Sequence, residues 1–300
     1  MLKDKLLDAK QSVLLYGTTP PRAGTAENGV RQAAEKLAAR LAPLPVDGVV
    51  VYDIQDETGR TESPRPFPFT GTVDPRDYAG LLRQPTIVYK ALGSMDEPAW
   101  RAWLEATAPR HSLVSVVGRP TSGVRHALPL SRAIRIAAER CTVGGVAIAE
   151  RHTAERSESA RLLAKGIEGC GYFISQTVYH ADASVRLLSD YVRDCRGAGV
   201  TPRRIVLTFS PAGREKTMAF LNWLGVRIPP ATAQAILGAA SPLAKSIEIC
   251  RDNLRRILEQ PYAREIPLGI NVESVSINRD EIDASVDLFH ALAEVLGQRR

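Results

Sequence analysis

Short apolar runs alternate with amphipathic segments along the whole chain. Eight runs, several of them rich in β-branched residues, predict β-strands: SVLLY (12–16), GVVVYD (48–53), TIVYKA (86–91), SLVSVVG (112–118), GGVAIA (144–149), YFISQTV (172–178), RIVLTF (204–209) and LGINVESV (268–275). Most of these runs are continuous rather than alternating, which is typical of parallel strands buried on both faces. The pattern therefore favours a parallel sheet covered by helices.

Helical periodicity fills the segments between the strands. Amphipathic patterns predict helices over 27–42, 96–108, 155–169 and 182–198, and about three more helical segments within 213–259. Eight βα units without a linker or a second core predict an α/β fold, a (β/α)8 TIM barrel that spans residues 1–300 as a single domain. An open doubly wound sheet is the alternative, but its first βα turn would carry a glycine-rich fingerprint that YGTTPPRAG (16–24) lacks.

Composition and charge narrow the classes of function. The formal charge of +6 comes from basic residues interspersed with acids on helix faces, and no nucleic-acid-binding motif accompanies it. We expect an anionic small ligand instead, such as a phosphate-bearing cofactor or a polyglutamate tail. The chain lacks a long apolar run and a signal-peptide pattern, so we expect a cytoplasmic protein without a membrane partner. Four cysteines without zinc-ligand spacing predict reduced thiols and no metal site.

Polar side chains follow most of the predicted strands. The active site of a TIM barrel lies at the carboxyl ends of its strands, where this sequence places Tyr16, Gly17, Asp53, Gln55, Asp56, Glu57, Tyr89, Lys90, Gly118, Arg119, Glu150, Arg151, His152, Gln176, Tyr179, His180, Thr208, Ser210, Asn271, Glu273 and Ser274. This set suits a polar heteroaromatic ligand with anionic arms. Gln176 stands out because an amide in an apolar strand is costly unless it is hydrogen-bonded.

Two long stretches resemble the methylenetetrahydrofolate reductase family. The segment GGVAIAERHTAERSESARLLAKGIEGCGYFISQTVYHAD (144–182) resembles the central part of that family, and RIVLTFSPAGREKTMAFLNWLGVRIPPATAQAI (204–236) resembles its strand-seven region. The matching positions are Glu150, His152, Glu158, Lys165, Gly169 and Gln176. The similarity covers residues 142–235, with a weaker match over 11–42 that includes Pro20 and Pro21.

The resemblance implies an activity and a set of binding residues. That family is a flavin enzyme on a TIM barrel that takes hydride from NAD(P)H onto FAD and passes it to methylenetetrahydrofolate, a reduced folate. By resemblance, Gln176 would bind the pterin and Phe220 would stack on the aromatic part of the ligand, with Tyr179 and Arg119 as further substrate contacts. The FAD ribose and phosphates would lie against His152, Glu158 and Lys165, with Glu150 and Tyr89 also on the cofactor side.

Several positions depart from the family pattern, and they concern proton delivery and the flavin ring. The family's acid on strand one aligns with Gly17, and a glycine cannot be a general acid. Arg119 stands where the family has an Asp, Tyr89 and Lys90 stand near its missing histidine, His180 replaces an Asp, and Ile148 replaces a Tyr. We therefore hypothesise that Glu57 or Glu273 supplies the acid.

Three functions remain open at this point. The first is a reductase of a folate-bound one-carbon unit, with NAD(P)H as the donor and FAD as a relay. The second is a flavin-free enzyme of one-carbon or methyl transfer that uses the same pocket. The third is a catalytically inactive folate-binding barrel or partner subunit; homo-oligomerisation is left open as well.

Overall fold

A closed barrel of eight parallel strands forms the centre of the molecule. The computed structural model describes residues 1–56, 62–118 and 128–298. Its strands are β1 (Val13–Thr18), β2 (Gly48–Val51), β3 (Thr86–Ala91), β4 (Leu113–Val117), β5 (Thr142–Ala147), β6 (Cys170–Thr177), β7 (Arg204–Phe209) and β8 (Leu268–Glu273). They follow one another in chain order, and β1 pairs with both β2 and β8. The predicted TIM barrel is confirmed, and the open sheet is excluded.

Helices surround the barrel on its outer face. They are α1 (Leu2–Leu7), α2 (Glu27–Leu41), α3 (Pro75–Ala79), α4 (Glu97–Thr107), α5 (Leu130–Ala138), α6 (Glu158–Glu168), α7 (Ala181–Gly197), α8 (Glu215–Trp223), α9 (Pro230–Leu237), α10 (Pro242–Leu258) and α11 (Arg279–Gly297). The helix predicted over 155–169 begins later, at Glu158, because the Ser157 hydroxyl accepts the N–H of Ala160 as an N-cap. It ends at Gly169, whose φ of 127° no residue with a side chain adopts easily.

The amino-terminal end of the barrel is closed by α1. Leu2 and Leu6 pack against interior side chains of the strands. Arg204, fully buried at the start of β7, donates to the carbonyl oxygens of Leu6 at 2.8 Å, Leu268 at 3.0 Å and Lys5 at 3.1 Å, and also to that of Asp8. A buried guanidinium needs such partners. α1 therefore covers the barrel interior at this end.

The carboxyl ends of the strands form the open end of the barrel. β2 stops at Val51, two residues earlier than predicted, so Tyr52 and Asp53 lie in the loop above it. The Asp53 carboxylate accepts hydrogen bonds from Lys90 Nζ and from the backbone N–H of Ala91, each at 3.0 Å. These contacts fix the start of the β2–α3 connection against β3. In the part of the chain that the structure describes, no helix is long and apolar enough to cross a membrane.

Candidate ligand-binding site

A cavity of about 1040 Å³ opens at the carboxyl ends of the strands. One part, which we call the axial arm, lies over the barrel interior and is lined by Gly17, Tyr52, Tyr89, Gln176, Thr177, Phe220, Trp223 and Glu273. The other part, which we call the lateral arm, extends over α5 and α6 and is lined by Leu130, Ile134, Arg156, Glu158, Arg161 and Lys165. Pockets for drug-sized ligands measure about 300–1,000 Å³, so this cavity has room for a long ligand or for two ligands.

Glu273 places a carboxyl group in the axial arm. It is the last residue of β8, and its carboxylate accepts a hydrogen bond from the Thr177 hydroxyl at 3.2 Å. Burial raises the pKa of Glu273, although hydrogen bonds from Tyr52 and Thr177 partly oppose the effect. The Tyr52 hydroxyl itself accepts from Asn271 Nδ2 at 2.8 Å. A carboxyl with a raised pKa stays protonated at higher pH than a solvated one, so Glu273 can donate a proton.

Gly17 lies directly beside this acid. Gly17 on β1 and Glu273 on β8 are paired residues across the strands that close the barrel. A Cβ atom at position 17 would lie 2.8 Å from Tyr52 Cε2 and 3.1 Å from Glu273 Cβ. Both distances are shorter than normal contacts, so the tyrosine ring and the acid occupy the space that a side chain on β1 would need.

Gln176 presents one half of its amide to a ligand. Its Nε2 donates to the carbonyl oxygen of Leu224 at 2.6 Å, which fixes the orientation of the side chain. Its Oε1 is buried and has no hydrogen-bond partner among the described residues. A buried acceptor without a partner costs about 1–3 kcal/mol. The amide oxygen is therefore poised to accept a hydrogen bond from an N–H group of a ligand in the axial arm.

Aromatic rings of α8 form one wall of the axial arm. Phe220 and Trp223 are nearly parallel, with centroids 6.1 Å apart. Phe67 meets Phe220 edge to face at 5.3 Å. This wall suits an aromatic ring of a ligand better than an aliphatic chain, because parallel and edge-to-face ring contacts both add to burial.

The segment 62–73 lies across this aromatic wall. Trp223 Nε1 donates to the carbonyl oxygen of Ser63 at 3.2 Å. At the other end of the segment, Ala23 N–H donates to the carbonyl oxygen of Gly71 at 2.8 Å, and Arg22 and Thr72 form a β-bridge. Between these anchors Arg65 lines the cavity. This segment thus contributes to the cavity wall.

The lateral arm carries charged groups from α6. Lys165 Nζ donates to the carbonyl oxygen of Val146 at 2.8 Å and lies 3.8 Å from Glu158. Burial lowers the pKa of Lys165, and the nearby Glu158 carboxylate opposes the effect. Glu158 Oε2 is buried without a hydrogen-bond partner in the described ranges. Because Arg156 and Arg161 line the same arm, it offers cations for a phosphate and a carboxylate for hydroxyl groups.

Three described residues to which the resemblance gave a binding role lie outside the lining of this cavity. His152 uses both ring nitrogens within the protein: Nε2 lies 2.8 Å from Asp190 Oδ2, and Nδ1 accepts the N–H of Glu158 at 3.2 Å. The Tyr179 hydroxyl donates to the carbonyl oxygen of Ser210 at 2.7 Å. Glu150 Oε1 lies 3.5 Å from the N–H of Arg227. In these positions the three side chains connect barrel segments to one another.

The other predicted site residues divide into two groups. Gln176, Phe220, Tyr89, Glu158, Lys165 and Glu273 all line the cavity. Glu57 and Arg119 lie outside the described residues, so their proposed roles stay predictions.

Sequence reasoning missed several residues of the lining, chiefly Tyr52, Arg65, Thr177 and Trp223. Trp223 follows Phe220 at a spacing of three on a helix, which is a signal that was available. The other three residues could be recognised as cavity-lining only from the structure. Within the described ranges, no group of three or more His, Cys, Asp or Glu side chains could hold a metal ion.

Comparisons with solved structures find proteins that resemble this chain over its whole length. A solved structure of an uncharacterized protein from Clostridium thermocellum, which binds two copies of 5-methyl-5,6,7,8-tetrahydrofolic acid, is 30% identical over 99% of both chains with a TM-score of 0.83. Dihydropteroate synthase from Xanthomonas albilineans in complex with 7,8-dihydropteroate covers 98% of this chain and 97% of its own, at 14% identity and a TM-score of 0.47. No protein-family model and no curated protein matches.

The fold and the cavity define a (β/α)8 barrel with a large cavity at the carboxyl ends of its strands. Within that class, the chain belongs to the same family as the Clostridium thermocellum protein.

Proposed function

We propose that this protein binds a reduced folate in the axial arm and reduces its one-carbon unit with NAD(P)H, converting 5,10-methylenetetrahydrofolate to 5-methyltetrahydrofolate. The observation that carries the proposal is Glu273, a carboxyl of raised pKa that lines the cavity beside Gly17. Gly17 aligns with the acid of methylenetetrahydrofolate reductases, and the pairing of Gly17 with Glu273 supports Glu273 as the proton donor. The related protein from Clostridium thermocellum, which binds the methyl product of this reaction, gives independent support.

The axial arm matches the parts of a folate. The free Oε1 of Gln176 suits the N–H groups of a pterin, which combines hydrogen-bond donors with a flat ring. Phe220 and Trp223 suit the p-aminobenzoyl ring that follows the pterin in a folate. Since Gln176 donates to Leu224, the residue after the end of α8, the pterin and benzoyl subsites adjoin each other.

In the proposed reaction, Glu273 protonates the folate nitrogen that leaves as the methylene bridge opens. The proton comes from the neutral carboxyl, and the hydride comes from NAD(P)H, so one hydride and one proton convert the methylene group to a methyl group. Thr177 holds the carboxyl through its hydroxyl at 3.2 Å. The tyrosine rings at 52 and 89, 4.9 Å apart and edge to face, keep the floor of the arm apolar. An apolar floor favours the protonated acid.

The lateral arm is the proposed seat of the dinucleotide. Lys165, Arg156 and Arg161 suit a pyrophosphate. Glu158 Oε2 lies 3.8 Å from Arg161 but has no hydrogen-bond partner among the described residues, so it suits a ribose hydroxyl. These groups fit the adenosine diphosphate portion that NAD(P)H and FAD have in common. A bound FAD would relay hydride from the nicotinamide to the folate. Lys90, which lies near the family's missing histidine, donates to Asp53 at 3.0 Å and does not line the cavity.

A spectrum and an assay test the proposal. The purified protein is scanned for flavin absorbance and then mixed with NADH or NADPH and methylenetetrahydrofolate, while nicotinamide oxidation and formation of 5-methyltetrahydrofolate are followed. Stoichiometric production of both products supports the reductase, with a yellow protein indicating a flavin relay and a colourless one direct transfer. Binding of 5-methyltetrahydrofolate without any turnover would refute the reduction and leave folate binding.

A folate-binding function without reduction is the second candidate. It is favoured by one specific observation: the related protein binds two folate copies, and a cavity of about 1040 Å³ with two arms has room for both. Calorimetric stoichiometry separates the candidates. In the reductase, saturating NAD(P)H should lower the number of 5-methyltetrahydrofolate molecules bound per chain from two to one. A binding protein should still bind two.

A further inference from the structure

Arg65 lines the cavity and carries buried N–H groups that have no hydrogen-bond acceptor among the described residues. Its guanidinium carbon lies 5.3 Å from the ring centre of Phe69, 5.4 Å from that of Phe220 and 5.3 Å from that of Trp223. Its Nε and Nη1 atoms are buried and have no hydrogen-bond partner among the described residues. The aromatic rings thus contact the guanidinium without satisfying its donors.

This arrangement is costly unless a ligand completes it. A buried donor that lacks an acceptor loses its hydration without compensation, and the loss is larger for a charged group. Contacts with aromatic faces recover a part of that cost and also fix the plane of the guanidinium. A guanidinium whose plane is fixed and whose buried N–H groups lack an acceptor in the described ranges suits a carboxylate or a phosphate.

The protein holds Arg65 in place before a ligand arrives. Segment 62–73 is anchored by Trp223 Nε1 on the carbonyl oxygen of Ser63 at 3.2 Å and by Val73 N–H on the carbonyl oxygen of Pro21 at 2.9 Å. Both anchors join the segment to elements at the carboxyl end of the barrel. Preorganisation of this kind lowers the entropy that binding must offset.

The position of Arg65 relative to α8 identifies the group that it receives. At the carboxyl end of α8, Leu224 is bonded to Gln176, the proposed pterin contact. Phe220 lies one turn before Leu224 and is the proposed benzoyl contact. Arg65 adjoins Phe220 and Trp223. The Gln176 amide, the aromatic wall and Arg65 are therefore all linked to α8, as a folate links a pterin, a p-aminobenzoyl ring and a glutamate.

We propose that Arg65 binds a carboxylate of the folate glutamate and selects for ligands that carry one. This inference rests on the proposed binding of a reduced folate in the axial arm. It adds a specificity residue on a loop that the resemblance to methylenetetrahydrofolate reductases did not indicate.

Calorimetric titration with two ligands tests the role of Arg65. The first ligand is 5-methyltetrahydrofolate, and the second is a synthetic analogue in which a neutral methylamide replaces the glutamate. Arg65→Ala should weaken the first roughly tenfold to hundredfold, the range expected for hydrogen bonds to a charged group, and should leave the second nearly unchanged. Arg65→Lys should recover part of the affinity, because it restores the charge but not the planar donors.

Two controls accompany the titration. Lys216→Ala removes another cation near the same wall, whose Nζ lies 4.6 Å from the ring centre of Phe67 but which does not line the cavity, and it should change neither affinity. If Arg65→Ala does not fold, Arg65→Gln is tested in its place, because glutamine keeps most of the side-chain packing.

Other results would overturn the proposal in distinguishable ways. An equal loss for both ligands would make Arg65 a structural residue of the aromatic wall. Tighter binding of either ligand to Arg65→Ala would mean that the guanidinium occupies the subsite proposed for the benzoyl ring. If the wild-type protein binds neither ligand, the proposed folate function itself fails.

Discussion

Replacing Glu273 by Gln is the sharpest perturbation of the proposed chemistry. The two side chains are nearly the same size, so the amide can still accept the hydrogen bond that Thr177 gives at 3.2 Å. What the change removes is the acidic proton. We therefore expect the variant to keep its fold and its affinity for 5-methyltetrahydrofolate while turnover collapses.

The size of the loss follows from the role of the proton. A positioned general acid contributes about 10²–10⁴ in rate, so kcat for methylenetetrahydrofolate reduction should fall by about that factor. This corresponds to a transition state destabilised by roughly 3–5 kcal/mol. Because the lost interaction concerns the reacting nitrogen, KM should change far less than kcat.

The raised pKa of Glu273, caused mainly by burial, also predicts two pH effects. In the wild type, kcat should fall as the pH rises through the folded-state pKa, because the proton donor is lost. Stability should respond in the same direction. Between the ordinary pKa and the raised one, the folded state binds more protons than the unfolded state, so the free energy of unfolding decreases as the pH rises through that window. The Gln variant should lack both effects.

Steady-state assays and thermal unfolding across a series of pH values measure these quantities. Glu265→Gln is the matched control, since it removes an exposed carboxylate that pairs with Arg196 at 2.7 Å at the opposite end of β8. It should leave kcat unchanged. If Glu273→Gln turned over at the wild-type rate with an unchanged pH profile, the assignment of the acid would be refuted, and Glu57 would be the next residue to test.

Three further changes test other parts of the structure. Gly17→Ala places a Cβ 2.8 Å from the Tyr52 ring, and it should lower kcat and destabilise the fold by about 1–3 kcal/mol in chemical unfolding. Lys165→Met removes a cation from the lateral arm, so it should raise KM for NAD(P)H without changing the calorimetric affinity for folate; equal effects on both would contradict the separation of the two arms. Arg204→Met leaves carbonyl groups of α1 without a donor and should cost about 3 kcal/mol of unfolding free energy with kcat preserved.

The barrel could be predicted because its strands are hydrophobic on both faces. The run GVVV (48–51) carries no polar side chain on either face, which is typical of a parallel sheet under helices. The position of Gln176 in the site followed from the same pattern, since the end of a barrel strand faces the active site. The orientation of its amide could not be predicted, because Leu224, which accepts from Nε2 and leaves Oε1 without a partner in the described part of the chain, is 48 residues away.

Residues that matched by spacing alone were less reliable guides. His152 stands at a position that suggests a ligand contact, yet Asp190 of α7, 38 residues later, engages its Nε2 at 2.8 Å. The sequence predicts which strand a side chain follows, but it does not predict which groups from other elements form hydrogen bonds with that side chain. Arg65 is the opposite case: nothing in the sequence indicates it, and only the packing of segment 62–73 on α8 shows that two of its donor atoms lack a hydrogen-bond partner in the described ranges.

In the proposed assignment, barrel closure explains how an acid on β8 can take the place of one on β1. In an open sheet the first and last strands would lie at opposite edges, whereas here Gly17 and Glu273 are neighbours across the closing pair. Two carboxyl groups at this contact would repel each other, and a side chain at position 17 would collide with the Tyr52 ring at 2.8 Å. The glycine at position 17 and the acid at position 273 thus depend on each other. A double variant that restores an acid at position 17 and removes Glu273 should regain activity only if Tyr52 is also made smaller.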